Sequence, residues 1–288
     1  MDPGHRTTRL SHRATLVPAH LHPGVFLMIV FLATSRRLLG VAAFATLALT
    51  PVRAMAQTVA EHIALGDRAH IAMNAPLALK HYEEAIKADP RSYEALWKAT
   101  REAVDVGEYT EAEDERNRLY SEAELYARRA VEANPNDVET HFNLARALGR
   151  KALSLGKRDQ VKYAGEVRAQ ALEALRLDPR SAGALHVMGM WNYNVMKLSG
   201  MTRFLAKQFL GGKVFDSASW DDAQRYMEES VRDEPNRLVH HLDLARVYDA
   251  RGDKERARAQ YEATIKGTPT EYNDRRYQSE AAEELRKL

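Results

Sequence analysis

Five dipeptides ending in proline punctuate the chain at a nearly regular interval: Asp89-Pro90, Asn134-Pro135, Asp178-Pro179, Glu234-Pro235 and Thr268-Pro269. Successive prolines lie 45, 44, 56 and 34 residues apart. Proline cannot continue a helix, and it pushes the residue before it out of the α region. The stretches between are rich in Ala, Leu, Glu, Arg and Lys, the strong helix formers. Only 10 prolines and 15 glycines occur in 288 residues. A recurring break of this period, with helix-forming sequence between the breaks, predicts an all-α solenoid of stacked helix hairpins.

The last interval equals the 34-residue tetratricopeptide period. Residues 238–271 fit that repeat through Leu244, Ala245, Tyr248, Gly252, Ala257, Tyr261 and Pro269. Residues 59–92 fit through Leu65, Gly66, Ala78, Tyr82, Ala85 and Pro90. Small residues suit places where two helices cross closely, and aromatic rings fill the gap to the next pair. The other intervals exceed the last by 11, 10 and 22 residues. Apolar periodicity through Tyr93–Val106 and Leu119–Val131 predicts that the extra length extends the middle helices, with tips at Glu108–Asn117 and Gly156–Gln160. In the fourth unit, Met201–Leu210 predicts an added amphipathic helix ending at Gly211-Gly212, and Ser219 ahead of Asp221 and Asp222 predicts the N-cap of the next. Tyr277–Leu288 predicts a polar-faced final helix capping the last pair. The expected fold is a right-handed α-solenoid of about five tetratricopeptide-like hairpins, elongated in the middle, with a C-terminal cap.

Residues 1–56 read as an address rather than a fold. Arg36-Arg37 precedes the apolar run Leu38–Thr50, and Ala54-Met55-Ala56 supplies a small-residue cleavage pattern, so the mature chain is expected to begin at Gln57. The repeat domain is then 57–288. The run at 38–50 is shorter than the roughly 20 residues that cross a bilayer. Ser35-Arg36-Arg37-Leu38-Leu39 also resembles a twin-arginine export signal. A start at Met28 instead of Met1 gives an ordinary signal length. These features predict export, to a periplasm; the alternative is an inner-membrane anchor formed by residues 25–50, if they stay uncleaved.

The pI of about 8.7 comes from this segment, which holds six arginines and one acid; beyond residue 56 the chain has 36 basic and 39 acidic residues. That balance gives no electrostatic footprint for nucleic acid. Without cysteine there is no disulfide, thiolate metal site or cysteine nucleophile. Gly211-Gly212-Lys213 lacks the upstream glycine and following hydroxyl of a phosphate loop, and no G-x-S-x-G or H-E-x-x-H motif occurs. No cofactor, metal or catalytic set is expected.

Ala95-Leu96-Trp97-Lys98, the run from His141-Phe142-Asn143-Leu144 to Leu148-Gly149, Leu177-Asp178-Pro179, and Leu210-Gly211-Gly212 followed by Ala218-Ser219 carry a more specific likeness. Over residues 60–288 the chain resembles bacterial relatives of the regulator of microtubule dynamics family. The resemblance implies tetratricopeptide-like helices without assigned catalysis, in a family whose animal members are linked to microtubules, spindle poles and mitochondrial or endoplasmic-reticulum membranes. A membrane-tethered assembly factor is the alternative reading it implies. An enzyme would need polar groups enclosed near residues 201–220.

Helix A of each such repeat lines the concave face. Counted from three residues after each proline, its fifth position holds Trp97, Phe142 and His186, and its ninth holds Arg101, Arg146 and Arg246. An aromatic stripe beside three arginines predicts a groove for a protein or peptide segment with acidic and apolar side chains, through bidentate guanidinium–carboxylate pairing and aromatic anchoring. The competing expectation is that groove acids such as Glu94, Asp105, Glu139 and Asp249 already pair with those arginines. Asp67 stands where the carboxylate clamp of co-chaperone repeats has an asparagine. His62, His141 and His241 share the fourth position, where a large ring packs, and are expected to be structural.

Overall fold

The computed structural model describes residues 58–209 and 212–288. The expected signal segment, with its 38–50 core and cleavage after Ala56, lies outside them, as does Leu210-Gly211. Twelve α-helices, one 3-10 turn and no strand occur among the described residues.

Ten helices form five antiparallel hairpins. Helix α1 (residues 58–71) pairs with α2 (Ala75–Ala88), α3 (Tyr93–Glu108) with α4 (Glu113–Ala133), and α5 (Val138–Leu153) with α6 (Lys157–Leu177). Helix α7 (Ala182–Lys197) pairs with α9 (Trp220–Asp233), and α10 (Leu238–Ala250) with α11 (Lys254–Lys266). The insertion is α8 (Gly200–Phe209) followed by the 3-10 turn Gly212–Ser217; α12 (Asp274–Lys287) ends the chain. The elongated middle is real: α4 and α6 have 21 residues each, against 13 in α11.

Four of the proline dipeptides do the same job. Asp89, Asn134, Asp178 and Glu234 are the C-caps of α2, α4, α6 and α9, each donating its backbone N–H to the carbonyl four residues back. The proline then stops the helix, and the next helix A begins three residues later, at Tyr93, Val138, Ala182 or Leu238. In the two Asp-Pro-Arg-Ser copies, Asp89 and Asp178 accept the backbone N–H of Arg91 and Arg180 at 2.9 Å, which closes the turn. At the fifth site Gly267 is the cap instead, and Pro269 lies two residues beyond it.

The hairpin tips are tighter than the sequence suggests. Residues 109–112 join α3 to α4, so Glu113–Asn117 are helical; their run of acids sits in the first turn of α4, where the helix dipole favours negative charge. Likewise Gly156 caps α6, and residues 157–160 belong to its first turns. Ser219 caps α9 as expected, accepting Asp222 N–H at 3.0 Å.

The buried apolar side chains form two clusters, one running from α1 through the second and third hairpins into α7, the other from α7 and α9 through α10 and α11 to α12. Leu96, Leu148 and Leu244, on α3, α5 and α10, are at most 2% exposed. Gly66 lets Tyr82 cross α1 closely: a Cβ there would lie 2.3 Å from the ring. Gly252 takes φ +83°, which closes the α10–α11 turn at the position where the repeat carries glycine. His141 and His241 span their hairpins identically, with Nε2 against the carbonyls of Pro135 and Pro235 and Nδ1 against Gln170 and Gln260. These rings lock the inter-repeat turn.

Candidate functional site

The A helices place their fifth and ninth positions on the concave side, and α12 returns across that side. Its first turns reach α3, which is more than 160 residues away in sequence. Asn273 Nδ2 donates to the Asp105 carbonyl (2.9 Å), Tyr277 OH to Glu108 (2.9 Å) and Tyr109 OH to Glu280 (2.7 Å). The Tyr109 and Tyr277 ring centroids lie 6.1 Å apart, and the Arg276 guanidinium covers Tyr109 at 4.6 Å. This clasp leaves a chamber of about 420 Å³ on the concave face.

Four of the six residues singled out in the sequence line that chamber: Arg101, Phe142, Arg146 and His186. Trp97 sits beside it, partly buried against the core, with the Arg101 guanidinium 5.4 Å over its ring. Arg246 lies behind the wall, where it donates to Asp243 (2.9 Å), Glu280 (2.7 Å) and Glu284 (2.5 Å). The three aromatics therefore do not form one free stripe. Phe142 packs against Gly183, where a Cβ would come within 2.5 Å of its ring. His186 bonds Asp243 at 2.8 Å and stacks on His240 at 4.8 Å.

Nor are the arginines free. Arg101 pairs with Glu102 at 2.8 Å and Arg146 with Asp105 at 2.6 Å. Arg150, one turn beyond Arg146, pairs with Glu108 at 2.6 Å. Arg180 pairs with Asp233 at 2.9 Å, and Arg237 with Glu271. Burial alone would weaken the charged form of Arg146, but Asp105 keeps its guanidinium above the ordinary value. The same contest at Arg246, burial against Glu284 and Asp243, ends with its pKa raised. Burial would raise the Asp243 carboxyl, yet the bond from His186 and the charge of Arg246 bring it down to about 2. Of the sequence-expected acids only Asp105 takes a groove arginine; Glu94 pairs with Lys98 and Asp249 with Lys254.

Asn273, Asp274, Tyr277, Arg150 and Arg237 escaped the sequence reading. Arg150 was within reach, lying four residues after Arg146 on the same helical face. The residues of α12 and its approach were not, because no local pattern says that the last helix folds back on the second hairpin.

The stacked hairpins define the protein as a tetratricopeptide-type helical-repeat protein. A crystal structure of a thermophilic TPR protein from Thermus thermophilus has the same fold, with a TM-score of 0.57 at 20% identity, over 78% of this chain and 98% of that one. The profile described as regulator of microtubule dynamics protein 1-3 matches residues 63–288, and the chain belongs to that family. Regulator of microtubule dynamics protein 1 of Bos taurus is 26% identical over 210 residues, covering 72% of this chain and 64% of that protein. Its Mus musculus counterpart is 25% identical over 194 residues, covering 67% and 63%. The match thus spans less than two thirds of the length of these relatives.

Proposed function

We propose that the chain is a non-catalytic, exported scaffold whose concave face holds a segment of another protein. The observation that carries this is the open chamber between the A helices and α12, on the face where a helical-repeat stack presents side chains from successive repeats side by side. Phe142 gives it an apolar floor, and charged side chains surround that floor, as in interfaces with an apolar centre and polar rim. An acidic occupant was expected from free arginines; the ion pairs above remove that ground. In the insertion, Met201 and Phe204 of α8 are 68% and 58% exposed, and none of its described side chains lines the chamber. No helix among the described residues is long and apolar enough to cross a membrane, so export and anchoring both rest on residues 25–56. N-terminal sequencing of the mature protein, expected to begin at Gln57, tests export.

Groove binding is tested with a photo-crosslinking side chain at Phe142 and a control at Leu125, an exposed position on helix B of the second hairpin. Partner adducts are expected at 142 and not at 125, and the crosslinked segment, once synthesised, should compete for the same site. Adducts at 125 alone, or no competition by the segment, reject the groove.

A further inference from the structure

The chamber's charge is not balanced. Each of its five arginines already holds a carboxylate. Four lining acids are left without a basic partner: Glu139, Asp178, Glu234 and Asp274. Asp178 serves its turn through the Arg180 N–H, and Glu139 takes only a 3.3 Å bond from Asn143. Asp274 accepts two backbone N–H bonds on one oxygen, from Thr270 and Glu271. Its other oxygen, and the side-chain oxygen of neighbouring Asn273, have no hydrogen-bond partner, although the two residues are 1% and 2% exposed. Buried acceptors of this kind are normally satisfied.

Two of these carboxyls register the imbalance. Glu139 is pushed above the ordinary glutamate value, first by loss of water and then by repulsion from Asp137 and Glu234, with Arg101 opposing. Asp274 is likewise raised by burial and by Asp105, against the Thr270 bond and Arg237. An anion entering here meets guanidinium groups already neutralised and carboxylates already crowded. A cation meets unpaired acceptors at the rim and on the inner wall.

Resting on the groove-binding reading above, we propose that the chamber is a cation subsite, which takes the ammonium or guanidinium group of a lysine or arginine side chain carried by the bound segment. The test uses the folded chain, a fluorescein-labelled alternating Lys–Ala peptide and its Glu–Ala counterpart, read by anisotropy at low and raised salt. The Lys–Ala peptide is expected to bind at least about tenfold tighter than Glu–Ala, with its affinity falling as salt rises. Glu139→Gln combined with Glu234→Gln should weaken it by about tenfold, the order expected when two unpaired carboxylates are removed. Neither side chain makes an ion pair and the two repel each other, so the double variant should melt no lower than the parent. Preference for Glu–Ala, or Lys–Ala affinity unchanged in the double variant, overturns the proposal. Photo-crosslinking from position 142 separates the two readings: a Glu–Ala adduct there leaves the groove standing and removes the cation subsite. If neither peptide binds, the cation subsite is rejected, and the groove is judged by its own crosslinked segment.

Discussion

Within the stack the contacts are made by side chains such as Ala95, Leu96, Ala99 and Ala123, all at 0% exposure. Between α3 and α12 they are made by tyrosine hydroxyls, glutamates, an asparagine and an arginine. The first kind of contact is local in sequence, apolar and repeated; the second is remote, polar and made once. In an open solenoid each repeat touches only its neighbours, and stability is close to a sum of local terms. The clasp adds a term that depends on the second hairpin and α12 at once. The same contrast separates structure from recognition: the apolar stack fixes the A helices in register, and the polar closure shapes the chamber they line.

Breaking the stack should cost most. Leu96→Ala removes a fully buried side chain from the second hairpin, and large-to-small changes at such sites cost about 2–5 kcal/mol. Urea denaturation of the whole chain should show about 3 kcal/mol of lost stability. Hydrogen exchange should rise around α3 and α4 and leave α10 and α11 near their original protection. A loss below about 1 kcal/mol would mean that the second hairpin is not part of the cluster that α1–α7 share.

Breaking the clasp should cost less and spread further. Tyr109→Phe with Tyr277→Phe deletes two hydroxyl donors to Glu280 and Glu108 but keeps both rings. Hydrogen bonds to charged groups contribute about 1.5–3 kcal/mol each; Glu108 and Glu280 keep Arg150 and Arg246 as partners, so about 2 kcal/mol for the pair is expected. Exchange should rise in α3 and α12 together. Loosening confined to α12 would show that the clasp decorates the cap without tying it to the second hairpin.

The same contrast explains what was legible in the sequence. The stack was written locally: Asp89-Pro90 and its fellows stop helices because of what proline cannot do, and Ser219 caps α9 because a hydroxyl placed there satisfies a backbone N–H. The insertion at Met201–Leu210 was visible as an apolar period. What could not be read was any contact across the groove. Arg246 is expected to face the groove, yet it lies behind the chamber wall because its partners Glu280 and Glu284 lie on α12, a helix read as a polar-faced cap. Arg101 pairs with Glu102, its own neighbour, because that buried carboxylate turns toward both His70 and the arginine. Register along a helix predicts which face a side chain takes, not which opposite charge reaches it first. The site's membership was therefore partly legible, and the sign of its unpaired charge was not.

The smallest effect separates the two regions by pH. His240 stands on the chamber wall, 3% exposed, stacked on His186, with Nδ1 unpartnered. Burial, then the charges of His186, Arg237 and His241, hold its pKa well below 6.5, so the ring is neutral in the fold and titrates normally in the unfolded chain. As pH falls below 6.5 the unfolded chain gains a proton that the fold refuses. The stability due to this ring is complete above that pH and declines below it, by at most about 1.4 kcal/mol per pH unit. Asp243, held at about 2, gives its own stability above the ordinary carboxylate value of 3.8 and loses it only below. His81, also lowered by burial, and the raised carboxyls Glu83, Glu139 and Asp274 titrate with or without His240. Only the difference that removing His240 makes between about pH 6.5 and 5 therefore reports this ring. Urea midpoints of the parent and of His240→Phe should run parallel from about pH 8 to 7, then converge or cross as the parent weakens more steeply. Curves that stay parallel to about pH 5 would show that the imidazole reaches water, and the chamber wall would then have to be more open than the stack behind it.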